Sequence, residues 1–187
     1  MTLQDDSYFA TGRAIPVKYN AAAQLQMLAC AGAVIAMFAA WRGALSLPMG
    51  CLGLLEHTLF FGGAVRRGYL NSGQLCTMEN IAAAMFLMRI GHAVLNYRNL
   101  FSVTVTRIRA RGKDPKAVLS KGVPVVGAFL VASAVAISTI PFELWADTER
   151  FSAGLAKAFV LATAQVCGIS FVVPEVMLWV AIRRDLR

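Results

Sequence analysis

ENIAAAMFLMRIGHAVLNYRNLFSVTVTRIRARGKDPKAVLSK, residues 79–121, begins apolar and ends strongly basic, and the fold turns on how this stretch is read. Ile81 to Leu95 is hydrophobic apart from Arg89 and His92; beyond it come Arg98, Arg107, Arg109, Arg111, Lys113, Lys116 and Lys121. At helical spacing Arg89, His92, Asn96 and Asn99 share one stripe, while Met85, Phe86, Leu87, Ile90, Val94 and Leu95 cover the rest. A helix of this kind either lies in a membrane interface or spans with its polar stripe turned into a bundle.

Working outward, the flanks are more apolar still. Of 187 residues 58% are hydrophobic and the mean hydropathy is +0.61, against an apolar share of about 45–50% in soluble domains. Since a crossing takes about 20 mostly apolar residues, the chain has room for four or five in one membrane domain. Four segments qualify: about 21–41, closing on Trp41-Arg42; 46–65, closing on Arg66-Arg67; 122–145, with Pro124 and Pro141; and 154–182, with Pro174 inside and Arg183-Arg184 beyond it. Gly50, Gly53, Gly62 and Gly63 are small residues of the type that lets helices approach closely in lipid. Residues 1–20 read as a surface arm, and the polar, acidic start, Met1 to Asp6, is unlike a cleavable secretory signal.

The formal charge of +8 comes from basic residues that sit mostly at the ends of apolar runs. There they anchor helices and set orientation. Few aromatics interleave with them and no recognition module is present, so nucleic acid is not an expected partner. Charge bias predicts that Arg66-Arg67, the block 98–121, the C-terminal arginines and the N-terminus share one membrane face, with the acidic link Glu143, Asp147 and Glu149 on the other. Two basic segments on one face leave Ile81 to Tyr97 no crossing to make. The expected fold is therefore an all-α membrane bundle of four transmembrane helices in two hairpins, joined by a central amphipathic or re-entrant helix at about 79–100 and a basic loop at 101–121. Cys76 then falls on the same face as the C-terminus. The four cysteines have no CxxC spacing, so neither a disulfide framework nor a zinc or other metal site is expected.

Five polar residues fall inside apolar runs: Glu56, His57, Arg89, His92 and Glu175. An acidic or basic group at a helix centre costs about 2.5–3.5 kcal/mol on insertion scales, so each should face protein, water or ligand. One reading pairs Glu56 with Arg89. Another uses the chain's two histidines, His57 and His92, as axial ligands of a b-type heme. In a third, Glu56 and Glu175 line a transport pathway. Pro174-Glu175 reads as a kink whose carboxylate reaches water or a neighbouring helix.

The fragments Arg66-Arg67, Leu70-Asn71, Met78-Glu79-Asn80-Ile81 and Arg89-x-x-His92 resemble parts of the membrane-associated eicosanoid and glutathione metabolism family, over about a quarter of the chain. That resemblance implies a four-helix membrane enzyme in which Asn71, Glu79, Arg89 and Tyr97 hold glutathione. The sequence departs from the family in one respect: nine residues separate Glu79 from Arg89, too few for the helix that should lie between the two motifs.

No phosphate loop, dinucleotide fingerprint, nucleophile elbow or zinc-protease motif occurs. The expected function is a non-catalytic, multi-pass accessory subunit of a larger membrane complex, in the respiratory chain or ATP synthase of the mitochondrial inner membrane. No cofactor is expected in that role; its partners would be other membrane subunits and anionic phospholipids such as cardiolipin, gripped by the basic residues of 98–121. The alternative is a membrane enzyme or redox carrier, linked to glutathione, quinone or heme, using Glu56, His57, Arg89 and His92.

Overall fold

The structure, a computed structural model, describes residues 17–145 and 151–186. Seven helices occur among them: α1 (Val17–Trp41), α2 (Leu59–Arg66), α3 (Ser72–Leu95), α4 (Tyr97–Arg109), α5 (Pro115–Thr139), α6 (Phe142–Trp145) and α7 (Phe151–Asp185). The expected all-α class holds for the described residues. Residues 1–16 of the expected N-terminal arm, and Asp147 and Glu149 of the acidic link, lie outside them.

Three helices are long and apolar enough to cross a membrane, over Gln24–Trp41, Pro115–Thr139 and Phe159–Asp185. These mark the chain as an integral membrane protein. They correspond to the first, third and fourth expected spans, although α5 begins earlier than expected. Asp114 caps it, accepting from the Lys116 and Ala117 amides at 3.2 and 3.0 Å, and Pro115 takes the first position, where its missing N–H costs nothing.

The second expected span, 46–65, is not a span. Only Leu59–Arg66 is helical, eight residues, or about 12 Å at the α-helical rise, far short of the roughly 30 Å of hydrocarbon. Residues 45–58 run as irregular chain and turns, entered at Gly43 and bent at Gly53, both with φ of +72°. Composition alone does not separate an apolar helix from an apolar irregular segment, and here Pro48, Gly50 and Gly53 act as breakers.

The central helix also differs from expectation. It starts at Ser72 rather than 79 and runs 24 residues, about 36 Å. A capping box starts it: Asn71 accepts from the Gln74 amide and the Gln74 side chain accepts from the Asn71 amide, each at 2.8 Å. Rather than lying outside the bundle as a connector, α3 packs along both α1 and α7, and α7 also packs on α1 and α5. The basic stretch 101–121 is not a loop either; it is most of α4, a turn at 110–114, and the first turns of α5.

Side-chain contacts fix the direction of each helix. Gln74 donates to the Trp41 carbonyl at 2.6 Å while Gln26 meets His92 at 2.7 Å, so α1 and α3 are antiparallel. Trp41 stacks on Phe159, centroids 4.0 Å apart, near the start of α7, and Tyr97 bonds Asp185 near its end, so α3 and α7 run parallel. The Trp41 end holds Arg66-Arg67, Cys51, Cys76 and the α5–α6 corner; the other end holds the basic block and Arg183-Arg184. The expected grouping of Arg66-Arg67 and Cys76 with the C-terminus is thereby corrected. Without a crossing at 46–65, α2 stays at the end where α1 finishes.

Two apolar clusters fill the interior. One, towards the Trp41 end, joins Met37, Phe60, Phe61, Met78, Phe142 and Phe159; the other, at the basic end, joins Ala93, Leu100, Val105, Leu119, Leu178 and Ile182. Between them the bundle carries a polar layer.

Candidate functional site

That layer is built on α3 and α7. Arg89 is 4% exposed and donates to Glu175, itself 31% exposed. The guanidinium lies 5.4 Å over the ring of Phe171, one turn before Glu175 on the same face of α7. The second carboxylate oxygen of Glu175 accepts from Trp179 Nε1 at 2.9 Å, an i,i+4 contact that the helix itself provides. On the other side Arg89 reaches His92 Nδ1 at 3.1 Å, and Gln26 Nε2 lies 2.7 Å from the same nitrogen. Both neighbours are N–H donors, so Nδ1 accepts and the ring proton sits on Nε2. Three helices thus meet in one hydrogen-bonded chain: Gln26, His92, Arg89, Glu175, Trp179. Among the described residues Arg89 Nε and Thr163 Oγ1 are the buried side-chain polar atoms without a partner.

A second set of polar contacts lies near the Trp41 end, where the first half of α3 holds the irregular segment against itself. The Glu79 carboxylate, buried, accepts from the Leu52 and Leu55 amides at 3.0 and 3.5 Å. Thr77 Oγ1, also buried, accepts from the Leu47 amide at 3.2 Å and donates to the Gly73 carbonyl at 2.9 Å. Asn80 donates to the Met49 carbonyl at 3.5 Å. Non-helical backbone needs such partners where it packs against other chain, and α3 supplies them. Cys51 and Cys76, their Cα atoms 5.4 Å apart, form a disulfide that ties the segment to the same helix. The expectation of no disulfide is corrected, because the pairing arises from the fold-back and leaves no mark in cysteine spacing.

Of the five intramembrane candidates the structure brings together Arg89, His92 and Glu175. Glu56 and His57 are exposed in the turn before α2 and belong to the Trp41 end. Arg89 takes Glu175, not Glu56, as its partner. The two histidines are not placed as an axial pair: His57 stands beside the Leu52–Leu55 segment that Glu79 holds, and from Glu79 to His92 is about 20 Å along α3. The residues that the family resemblance assigns to glutathione are spread similarly. Asn71 caps α3, Glu79 holds backbone amides, Arg89 pairs with Glu175, and Tyr97 donates to Asp185 at 2.6 Å. Asn71 to Tyr97 spans about 39 Å at the helical rise, too far for one tripeptide.

Gln26 and Trp179 complete the layer, and neither is among the candidates that the sequence singles out. A usable signal was present for Trp179, four residues after Glu175; Gln26 had none, because its partner comes from another helix. Six of the seven basic residues assigned to lipid, namely Arg98, Arg109, Arg111, Lys113, Lys116 and Lys121, are exposed at one end of the bundle, while Arg107 is half-buried. Among the described residues no three His, Cys, Asp or Glu side chains gather as a metal site. Comparison with protein-family models, with characterised proteins and with solved structures gives no match.

Proposed function

We propose that this chain is a non-catalytic, multi-pass subunit of a larger membrane assembly, crossing the bilayer four times with α3 as the fourth crossing. The observation that carries the reading is the fate of its interior polar groups. Glu79, Arg89, His92 and Glu175 are each engaged by other groups of the same chain, which is how a membrane bundle offsets the cost of intramembrane polarity when it serves packing. The length of α3 and its position between α1 and α7 support the fourth crossing. Its polar residues lower its average hydropathy, yet Arg89 and Glu79 are buried while Leu87, Met88, Val94 and Leu95 are exposed. The outer faces of α1 and α5 are apolar too, with Leu25, Leu28, Ile35, Val125, Phe129 and Val131 each more than 60% exposed. Such surfaces suit lipid or neighbouring subunits.

Orientation follows from two features at opposite ends. The basic end, with residues 98–121 and the C-terminal arginines, faces the compartment from which the chain inserts, by the positive-inside rule. The Cys51–Cys76 disulfide at the other end suits an oxidising compartment. A respiratory or ATP-synthase complex of the mitochondrial inner membrane is the assembly to test first, because a basic face on the matrix side meets cardiolipin there.

Blue-native electrophoresis with mass spectrometry of the band tests the subunit reading. The 20.1 kDa chain is expected to migrate with partner proteins at several times its own mass. A chain that runs alone and carries a heme spectrum or glutathione turnover overturns the reading.

A further inference from the structure

A groove of about 310 Å³ opens between the C-terminal halves of α3 and α7. Its walls are apolar, among them Ile90, Val94, Met177 and Ala181, and its polar lining is Tyr97 and Arg184 at the basic end. From Pro174 to Arg184 the groove follows α7 for about 15 Å at the helical rise, which is half of the roughly 30 Å hydrocarbon core. Its inner end adjoins the Arg89–Glu175 layer, and its outer end carries an exposed guanidinium at the level of the basic block.

We propose that this groove holds one acyl chain of an anionic glycerophospholipid whose phosphate rests on Arg184. The fit is one of length and charge together. An apolar slot one leaflet deep, with its cation at the rim, matches a lipid that carries its negative charge at the top of a hydrocarbon tail. Asp185 stands beside the rim, but its two carboxylate oxygens are taken by the Tyr97 hydroxyl at 2.6 Å and by Arg184 Nε at 3.2 Å. The terminal nitrogens of Arg184 make no hydrogen bond within the described residues and face outward on a side chain that is 77% exposed. Arg183 adds a second positive charge next to it. A volume of this size lies at the small end of ligand pockets, enough for much of one tail, whose end extends beyond the groove, and too little for a second helix.

The inference rests on the reading of α3 and α7 as membrane crossings, and it can fail independently of the subunit proposal, since co-migration in a native gel does not depend on this groove. The test is native mass spectrometry of the delipidated full chain in detergent, offered dioleoyl phosphatidylglycerol and dioleoyl phosphatidylcholine at equal concentration. One phosphatidylglycerol per chain is expected to be retained in preference to phosphatidylcholine. Arg184→Gln lowers that preference about fivefold, the worth of one basic side chain at an anionic lipid surface, and Arg184→Lys restores it. Ala181→Phe fills the groove and reduces retention of both lipids, while Arg66→Gln at the opposite end changes nothing. Circular dichroism confirms that each variant keeps its helices; Arg184 is exposed, so the Gln variant is not expected to unfold. Equal retention of the two lipids by the wild type overturns the proposal, as does an Arg184→Gln variant with the wild-type preference, an Arg66→Gln variant that loses as much, or an Ala181→Phe variant that binds normally.

Discussion

Arg89 and Glu175 pair across the α3–α7 interface although 86 positions separate them in the chain, and through His92 the same arginine is linked to Gln26 on α1. One ion pair therefore registers three helices at the height where the two apolar clusters meet. Removing one partner leaves the other charge uncompensated in a low-dielectric interior, a loss of about 3–5 kcal/mol, whereas replacing both by apolar residues of similar size is often close to neutral. Arg89→Met should lower the thermal midpoint in detergent sharply, and Arg89→Met with Glu175→Leu should recover most of the loss. Additive losses in the double variant would show that the two side chains act separately.

Gly63 on α2 abuts Phe142 at the start of α6, and a Cβ placed there would come within 2.8 Å of the Phe142 Cβ. The neighbouring Gly62 faces the Glu56 backbone carbonyl in the same way. Gly63→Ala is expected to destabilise by about 1–3 kcal/mol, as overpacking of a filled interior does. Gly32→Ala in α1, where nothing lies within 4 Å, should be neutral or slightly stabilising. Equal midpoints for the two variants would remove the close α2–α6 approach from the account.

These contacts mark where the sequence was legible and where it was not. Long apolar runs announced α1, α5 and α7 because length and composition alone define them. The run 46–65 is apolar too, but its Leu47, Leu52 and Leu55 amides are satisfied by Thr77 and Glu79, side chains that lie far along the chain and whose role no local pattern reveals. Arg89 stands out in the sequence as a charge inside an apolar run, but periodicity places it only on a stripe. The choice of Glu175 over Glu56 depends on α7 running parallel to α3, which is a property of the whole bundle. The charge count failed at Arg66-Arg67 for the same reason: with one crossing removed between α1 and α2, that pair moved to the other end.

Tyr97 gives the basic end a pH dependence. Its phenol is pushed up to about 12, first by burial and then by its hydrogen bond to the Asp185 carboxylate. A group whose pKa is raised on folding contributes stability that is complete below its unfolded value, near 10, and is lost as pH rises towards 12. The wild type should therefore lose stability more steeply than Tyr97→Phe between pH 10 and pH 12. The tyrosinate absorbance missing from that variant should titrate near the upper end of the window. A Tyr97 signal that titrates at the ordinary value would contradict the contact.

The central claim is that α3 crosses the membrane, which places Cys51 and Cys76 on the face opposite the C-terminus. In sealed vesicles with Cys30 and Cys167 replaced by alanine, a membrane-impermeant maleimide applied after mild reduction reports the cysteines, and protease access to a C-terminal epitope tag reports the other end. Maleimide labelling from the side on which the tag is protected is the result the account predicts; labelling and tag cleavage from the same side would contradict it.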